Sequence, residues 1–151
     1  MAPTNPTPAI QTLMIHKTEF TIRTFHTDAF GHVNNSRYVE LLEEARWRYA
    51  EDIGLVKLLR EQELGFIIID MKLRFRAPVH EGETIRVETS LVALGSASGD
   101  VKQTIYRSGE SGTCVKSMYH FILIDRQTAK SVPIHGEIRE LLAGLVDADS
   151  K

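Results

Sequence analysis

With a single cysteine, Cys114, the 151-residue chain cannot close an internal disulfide, so its stability has to come from burial and hydrogen bonding. A lone thiol also fits a reducing compartment, and the cytoplasm is the expected location. Charge of one sign is missing too. Eighteen Lys and Arg against twenty Asp and Glu leave a net charge of −2 with no basic tract, which excludes a broad electrostatic footprint for nucleic acid. No apolar run approaches the ~20 residues that span a bilayer. The opening MAPTNPTPAIQTLM lacks the charged start and apolar centre of a secretory signal. Proline is scarce beyond it, three of the five falling in the first eight residues. Residues 1–13 are therefore expected to be a loose arm, and 14–148 a single domain.

What is present is an ordered change of hydrophobic period. His16 to Phe25 alternates weakly and predicts a first strand, with Phe20 and Ile22 among Glu19, Thr21 and Arg23. From about Ser36 the period becomes helical. Tyr38, Leu41, Leu42, Ala45, Tyr49 and Ile53 fall on one face and Glu40, Glu43, Glu44 and Arg48 on the other, with Gly54 placed to end the helix. LVKLLREQEL, residues 55–64, predicts a second short helical piece. From Phe66 the period is two: Ile67, Ile69, Met71, Leu73, Phe75 and Ala77 share one face, opposite Asp70, Lys72, Arg74 and Arg76. Three further strands follow, over 85–93, 101–107 and 113–124, joined by short Gly- and Ser-rich turns, and residues 136–146 predict a closing helix. Strands joined by short turns are antiparallel. The pattern predicts an α+β fold, a curved antiparallel sheet of about five strands wrapped around one long helix. Its uncovered edges make self-association a way to extend the sheet.

The run HTDAFGHVNN, residues 26–35, carries more polar groups than a turn and a helix cap require. A helix starting near Asn34 to Ser36 has free backbone N–H groups and a positive dipole end, which can polarise a carbonyl and stabilise an oxyanion. Asp28, on a glycine-containing loop just before, can face the same point. A carboxylate opposite an oxyanion hole suits acyl transfer, as nucleophile or as general base for water. One such group suffices more readily for a thioester, because a thiol of pKa near ~8.5 leaves more easily than an alkoxide or hydroxide (water, about 16).

The segment from Thr27 to Asn35, followed by Tyr38 and the helix, resembles the signature of hotdog-fold acyl-CoA thioesterases of the 4-hydroxybenzoyl-CoA thioesterase-like superfamily. YVELLEEARW is most similar to the FadM-type long-chain enzymes, and the resemblance runs from about Glu19 to the closing helix. It implies hydrolysis of medium- to long-chain fatty acyl-CoA, with Asp28 as the catalytic carboxylate and the Asn35 N–H polarising the carbonyl. It further implies sites shared between two subunits, in a homodimer or a dimer of dimers. Gly31 and Asn34 shape the loop and the helix start. Tyr38, Leu42 and Trp47 are expected along the acyl chain. Related enzymes place basic residues beside the turn between the third and fourth strands. This chain has Ser96-Ala97-Ser98 there, so Arg74, Arg76 and Lys102 are the substitutes expected for the CoA phosphates.

Plainer uses compete with these roles. An aspartate in a loop commonly makes an Asx turn, and Asn34, Asn35 and Ser36 all suit a helix start. His32 can orient the loop, line the pocket or transfer a proton. His26, Asp28 and His32 lack regular metal-ligand spacing, so neither metal nor cofactor is expected. Cys114 and His120 share one strand but stand roughly 20 Å apart, too far for a dyad. Cys114 is expected to be a packed small residue. Glu44 is a reserve carboxylate, because another hotdog branch uses a helix glutamate. Two alternatives remain open: a hotdog enoyl-CoA hydratase or dehydratase using Asp28 with His32, and a module that binds acyl-CoA without cleaving it.

Overall fold

The computed structural model describes residues 14–147; the expected arm, 1–13, and residue 148 lie outside them. The chain runs β1 (His16–Thr21), a 3-10 turn (Thr24–His26), α1 (Asn35–Asp52), α2 (Leu55–Glu61), β2 (Leu64–Phe75), β3 (Thr84–Leu94), β4 (Ser98–Arg107), β5 (Thr113–Asp125) and α3 (Gly136–Ala143). The five strands form one sheet in the order β1-β3-β4-β5-β2, every neighbouring pair antiparallel. β1 and β2 are its edges. This is the α+β architecture that the change of period predicts.

The apolar stripe of α1 explains its position. Tyr38, Leu41, Leu42, Ala45 and Tyr49 are buried, and the first four pack with Val87, Ile105, Val115 and Tyr119 of the central strands. Burial of a side chain of this size stabilises by roughly 1.5–3 kcal/mol, so this face alone fixes α1 on the sheet. A second apolar cluster joins Leu55 and Leu91 to Phe121 and Leu123, and closes against Ile138 and Leu142 of α3. Gly54, at φ 79°, makes the left-handed corner between α1 and α2.

Both short helices end three residues early, α2 at Glu61 and α3 at Ala143, with Leu64 already in β2, and three expectations change more substantially. The first strand ends at Thr21 rather than Phe25, because His26 N–H bonds to Arg23 C=O and Thr27 N–H to Thr24 C=O, so local turn bonds replace the ladder. β4 begins at Ser98, since the Gly95 N–H···O=C Ser98 bond of 2.7 Å makes the preceding turn tighter than the glycine spacing predicts. Most consequential is β2. Its register against β5 shifts between Ile68 and Asp70, with Ile69 as the extra residue. Phe66 and Ile68 therefore pair with the buried Leu123 and Phe121, whereas Met71, Leu73 and Phe75 pair with the buried Tyr119, Ser117 and Val115. Ile67 consequently stands on the opposite face from Leu73 and Phe75, not on the same one. A bulge that inserts one residue exchanges the faces of everything beyond it.

Candidate active site

Residues 27–33 form a closed loop. Thr27 bridges Val33, Asp28 N–H donates to His32 C=O at 2.9 Å, and Gly31 N–H donates to Asp28 C=O at 3.0 Å. Gly31 sits at φ 77°, a conformation that disfavours any residue with a Cβ, so the tight return depends on it. The Asp28 Oδ1 accepts the N–H of Phe30 at 2.9 Å. The Asx turn is thus present, and the carboxylate remains exposed beside a cavity.

The helix start meets that loop. Asn34 is the cap residue, in extended conformation, and its Oδ1 accepts both the N–H and the hydroxyl of Ser36 at 3.0 Å. Its own N–H is tied to His26 C=O at 2.9 Å. Asn35 is the first helical residue, and among the described residues its N–H has no acceptor, as expected for the first turn. A cavity of about 290 Å³ is lined by Asp28, His32, Val33, Asn35, Tyr38, Phe75, Arg76, Ala77 and Pro78. The structure therefore brings together five residues singled out in the sequence: Asp28, His32, Asn35, Tyr38 and Arg76. Gly31 and Asn34 shape the loop and the cap that carry them.

The others lie elsewhere. Leu42 is fully buried in the core beneath the helix and does not line this cavity. Arg74 pairs in register with Lys116, both exposed, on the sheet face turned away from α1. Lys102 follows the same alternation, one position from the buried Gln103, and is also on that outer face. Trp47 lines a second, larger cavity of about 500 Å³ between α1, α2 and the start of β2. Glu44 is exposed and engaged with Arg48 Nε at 3.0 Å, outside both cavities. Cys114 is buried in the core, as expected, and burial pushes its thiol pKa up.

The segment behind the loop carries no functional signal in the sequence. Val33 N–H donates to Val79 C=O at 2.8 Å, and His32 bridges His80, their rings meeting edge to face at 4.8 Å. Arg107 donates to Pro78 C=O and to Glu83 Oε1, while the His80 N–H donates to Glu83 Oε2 at 2.8 Å. Nothing local to PVHEGE distinguishes it from an ordinary turn, because its partners Val33, His32 and Arg107 are all distant in sequence. Burial and, next, Arg37 lower the pKa of His26, which favours the neutral ring that accepts the Arg23 N–H at 2.8 Å. Burial raises the Tyr38 hydroxyl to about 12, so it stays protonated beside the cavity.

Comparison with known proteins gives a consistent answer. A family model described as the thioesterase-like superfamily matches residues 22–142. The long-chain acyl-CoA thioesterase FadM of Escherichia coli strain K12 is 30% identical over 130 residues, covering 86% of this chain and 98% of that protein. The acyl-CoA thioesterase YbgC of Haemophilus influenzae is 27% identical over 93 residues, covering 59% and 68%. The crystal structure of the probable thioesterase YbaW from E. coli superposes with a TM-score of 0.80 at 30% identity, covering 87% of this chain and 98% of that one.

Proposed function

The chain belongs to the thioesterase-like superfamily, and from that membership and the loop geometry we propose that it hydrolyses fatty acyl-CoA thioesters, medium- to long-chain, to free acid and CoA. One observation carries the reading: the Asp28 carboxylate and the unengaged Asn35 N–H line one cavity. The substrate carbonyl oxygen accepts the Asn35 N–H, assisted by the dipole of an 18-residue helix. Asp28 then either attacks the carbonyl carbon or takes a proton from the attacking water. In both courses electrons move onto the oxygen and return as the C–S bond breaks, and CoA leaves as thiolate. Attack by Asp28 leaves a mixed anhydride that water then hydrolyses. His32 lines the same cavity, where its contact with His80 supports an orienting role. No cofactor enters either course. Arg76 is the cation at the cavity suited to a CoA phosphate.

The working unit is a homodimer, alone or as half of a tetramer, in the cytoplasm. β2 is an edge strand, and Ile67 (42% exposed), Ile69 (54%), Met71 (48%) and Phe75 (46%) leave it apolar and uncovered in the single chain. An apolar free edge is a template for pairing with another strand. Antiparallel pairing of β2 with its own copy sets the Phe75 end of one chain beside the Leu64 end of the other. The Asp28 cavity then opens toward the partner's larger cavity, whose lining includes Leu64, Phe66, Ile68 and Trp47. The acyl chain runs from the reacting carbonyl of one subunit into the other. The reading is tested by incubating the protein with an acyl-CoA series of increasing length, including an aromatic member, and with enoyl-CoA. Free thiol is the expected product. Hydration of the double bond without thiol release would replace this reading with the hydratase one, and binding without either reaction would leave a binding module.

A further inference from the structure

Across the middle of the sheet runs a row of polar side chains on the face turned to α1. The register aligns His16 of β1 with Thr89 of β3, Thr89 with Gln103 of β4, and Gln103 with Ser117 of β5. Thr89 and Gln103 are fully buried and Ser117 nearly so. Along the strands the row is flanked by Val87, Ile105 and Val115 on one side and by Leu91, Val101 and Tyr119 on the other; Leu91 belongs to the second apolar cluster, Val101 packs against both, and Tyr119 belongs to the first. Gln103 is engaged at both ends: its Nε2 donates to Leu42 C=O at 3.0 Å and to Thr89 Oγ1 at 2.9 Å, and its Oε1 accepts from Arg46 Nη1 at 2.9 Å.

Arg46 has spare donors, with one N–H given to Gln103. Its guanidinium lies 4.0 Å from the centre of the Tyr119 ring, and no carboxylate pairs with it among the described residues. It lines the 500 Å³ cavity together with Thr89 and Tyr49, whose walls are otherwise dominated by Leu91, Val101 and Phe121. The Tyr49 hydroxyl is buried without a hydrogen-bond partner. Arg46 and Tyr49 stand three residues apart on α1 and so on neighbouring positions of one face. A part-buried cation with spare donors and a buried orphan hydroxyl are each costly in an apolar enclosure, and an acceptor oxygen between them removes both costs.

We propose that the inner end of this cavity recognises an oxygen atom carried on the acyl chain, a hydroxyl or oxo group, with Arg46 as the principal donor. Glu43, one turn earlier on α1, also lines the cavity, and Arg60 and Arg126 complete its charged lining, so a carboxylate-bearing chain is the competitor that has to be distinguished from a neutral oxygen. The identification of the ligand as an acyl chain rests on the thioesterase reading; the recognition itself does not require turnover.

The test is displacement of a fluorescent fatty-acid probe from the full chain by saturated fatty acids and by length-matched hydroxy, oxo and dicarboxylic acids. A hydroxy or oxo acid is expected to bind about tenfold more tightly than its saturated counterpart, the size of one hydrogen bond to a charged group. Arg46→Met should bring that ratio close to one, and Arg46→Lys should retain part of it. Equal affinities in the unaltered protein, a ratio unchanged in Arg46→Met, or a preference for the dicarboxylic acid would each overturn the proposal. Thiol release from the corresponding acyl-CoA pair is measured in parallel. Its absence with the binding ratio intact removes the thioesterase reading alone, and turnover without any preference removes this inference alone.

Discussion

Asn34 holds the first turn of α1 with one oxygen, which accepts two donors from Ser36. Asn34→Ala should lower unfolding free energy by about 1 kcal/mol in urea titration, the usual cost of losing a helix cap. An unchanged midpoint would mean that the loop bond from Asn34 N–H to His26 C=O sets the helix start unaided. Residues of this kind were legible in the sequence because each carries its constraint locally: Gly31 permits the positive φ, Asn34 caps, and Asp28 precedes the helix by a countable distance. His80 and Glu83 were not legible, since what makes them part of the site is a bridge to His32 and a bond to Arg107.

Among the elements, the segment between β2 and β3 is the support of the loop, and its electrostatics give it a pH dependence. Burial alone would raise the Glu83 carboxyl, but the His80 N–H and Arg107 outweigh it and hold its pKa below the ordinary 4.5. A carboxyl depressed in the folded state stabilises above its unfolded value, and that contribution is lost as pH falls through the folded one. Unfolding curves of the unaltered protein and of Glu83→Gln should therefore differ above pH 4.5 and converge in more acidic solution. A difference that persisted undiminished at the lowest pH would assign the effect to packing. β2 shows the complementary limit of reading an element from its pattern. Its existence follows from FIIIDMKLRF, but a run of three isoleucines satisfies either face, so the one-residue bulge at Ile69 leaves no trace in the period. Ile67 therefore lies on the face opposite the one that the alternation of Leu73 and Phe75 implies for it.

At the scale of the molecule, period and turn spacing set the order of helix and strands along the chain, but the order within the sheet, β1-β3-β4-β5-β2, departs from it because β2 pairs with β5 and not with β3. What period does not convey is which strands become edges, because that depends on β3 and β4 crossing between β1 and β5. The free β2 edge leads to a prediction of mass. The unaltered chain should run as a dimer or tetramer in light scattering, and Ile69→Lys, which puts a charge on the apolar edge, should shift it toward monomer. A monomer without substitution, or no shift with it, would contradict pairing through β2.

The proposed chemistry joins one carboxylate to one helix amide, and a single substitution separates them. Asp28→Asn preserves the side chain's shape and its capacity to accept the Phe30 N–H, while removing the negative charge. Release of free thiol from an acyl-CoA should fall at least about a hundredfold in this variant, the scale on which general-base catalysis contributes, with the oligomer mass unchanged. Thiol release at the unaltered rate would contradict a catalytic role for Asp28.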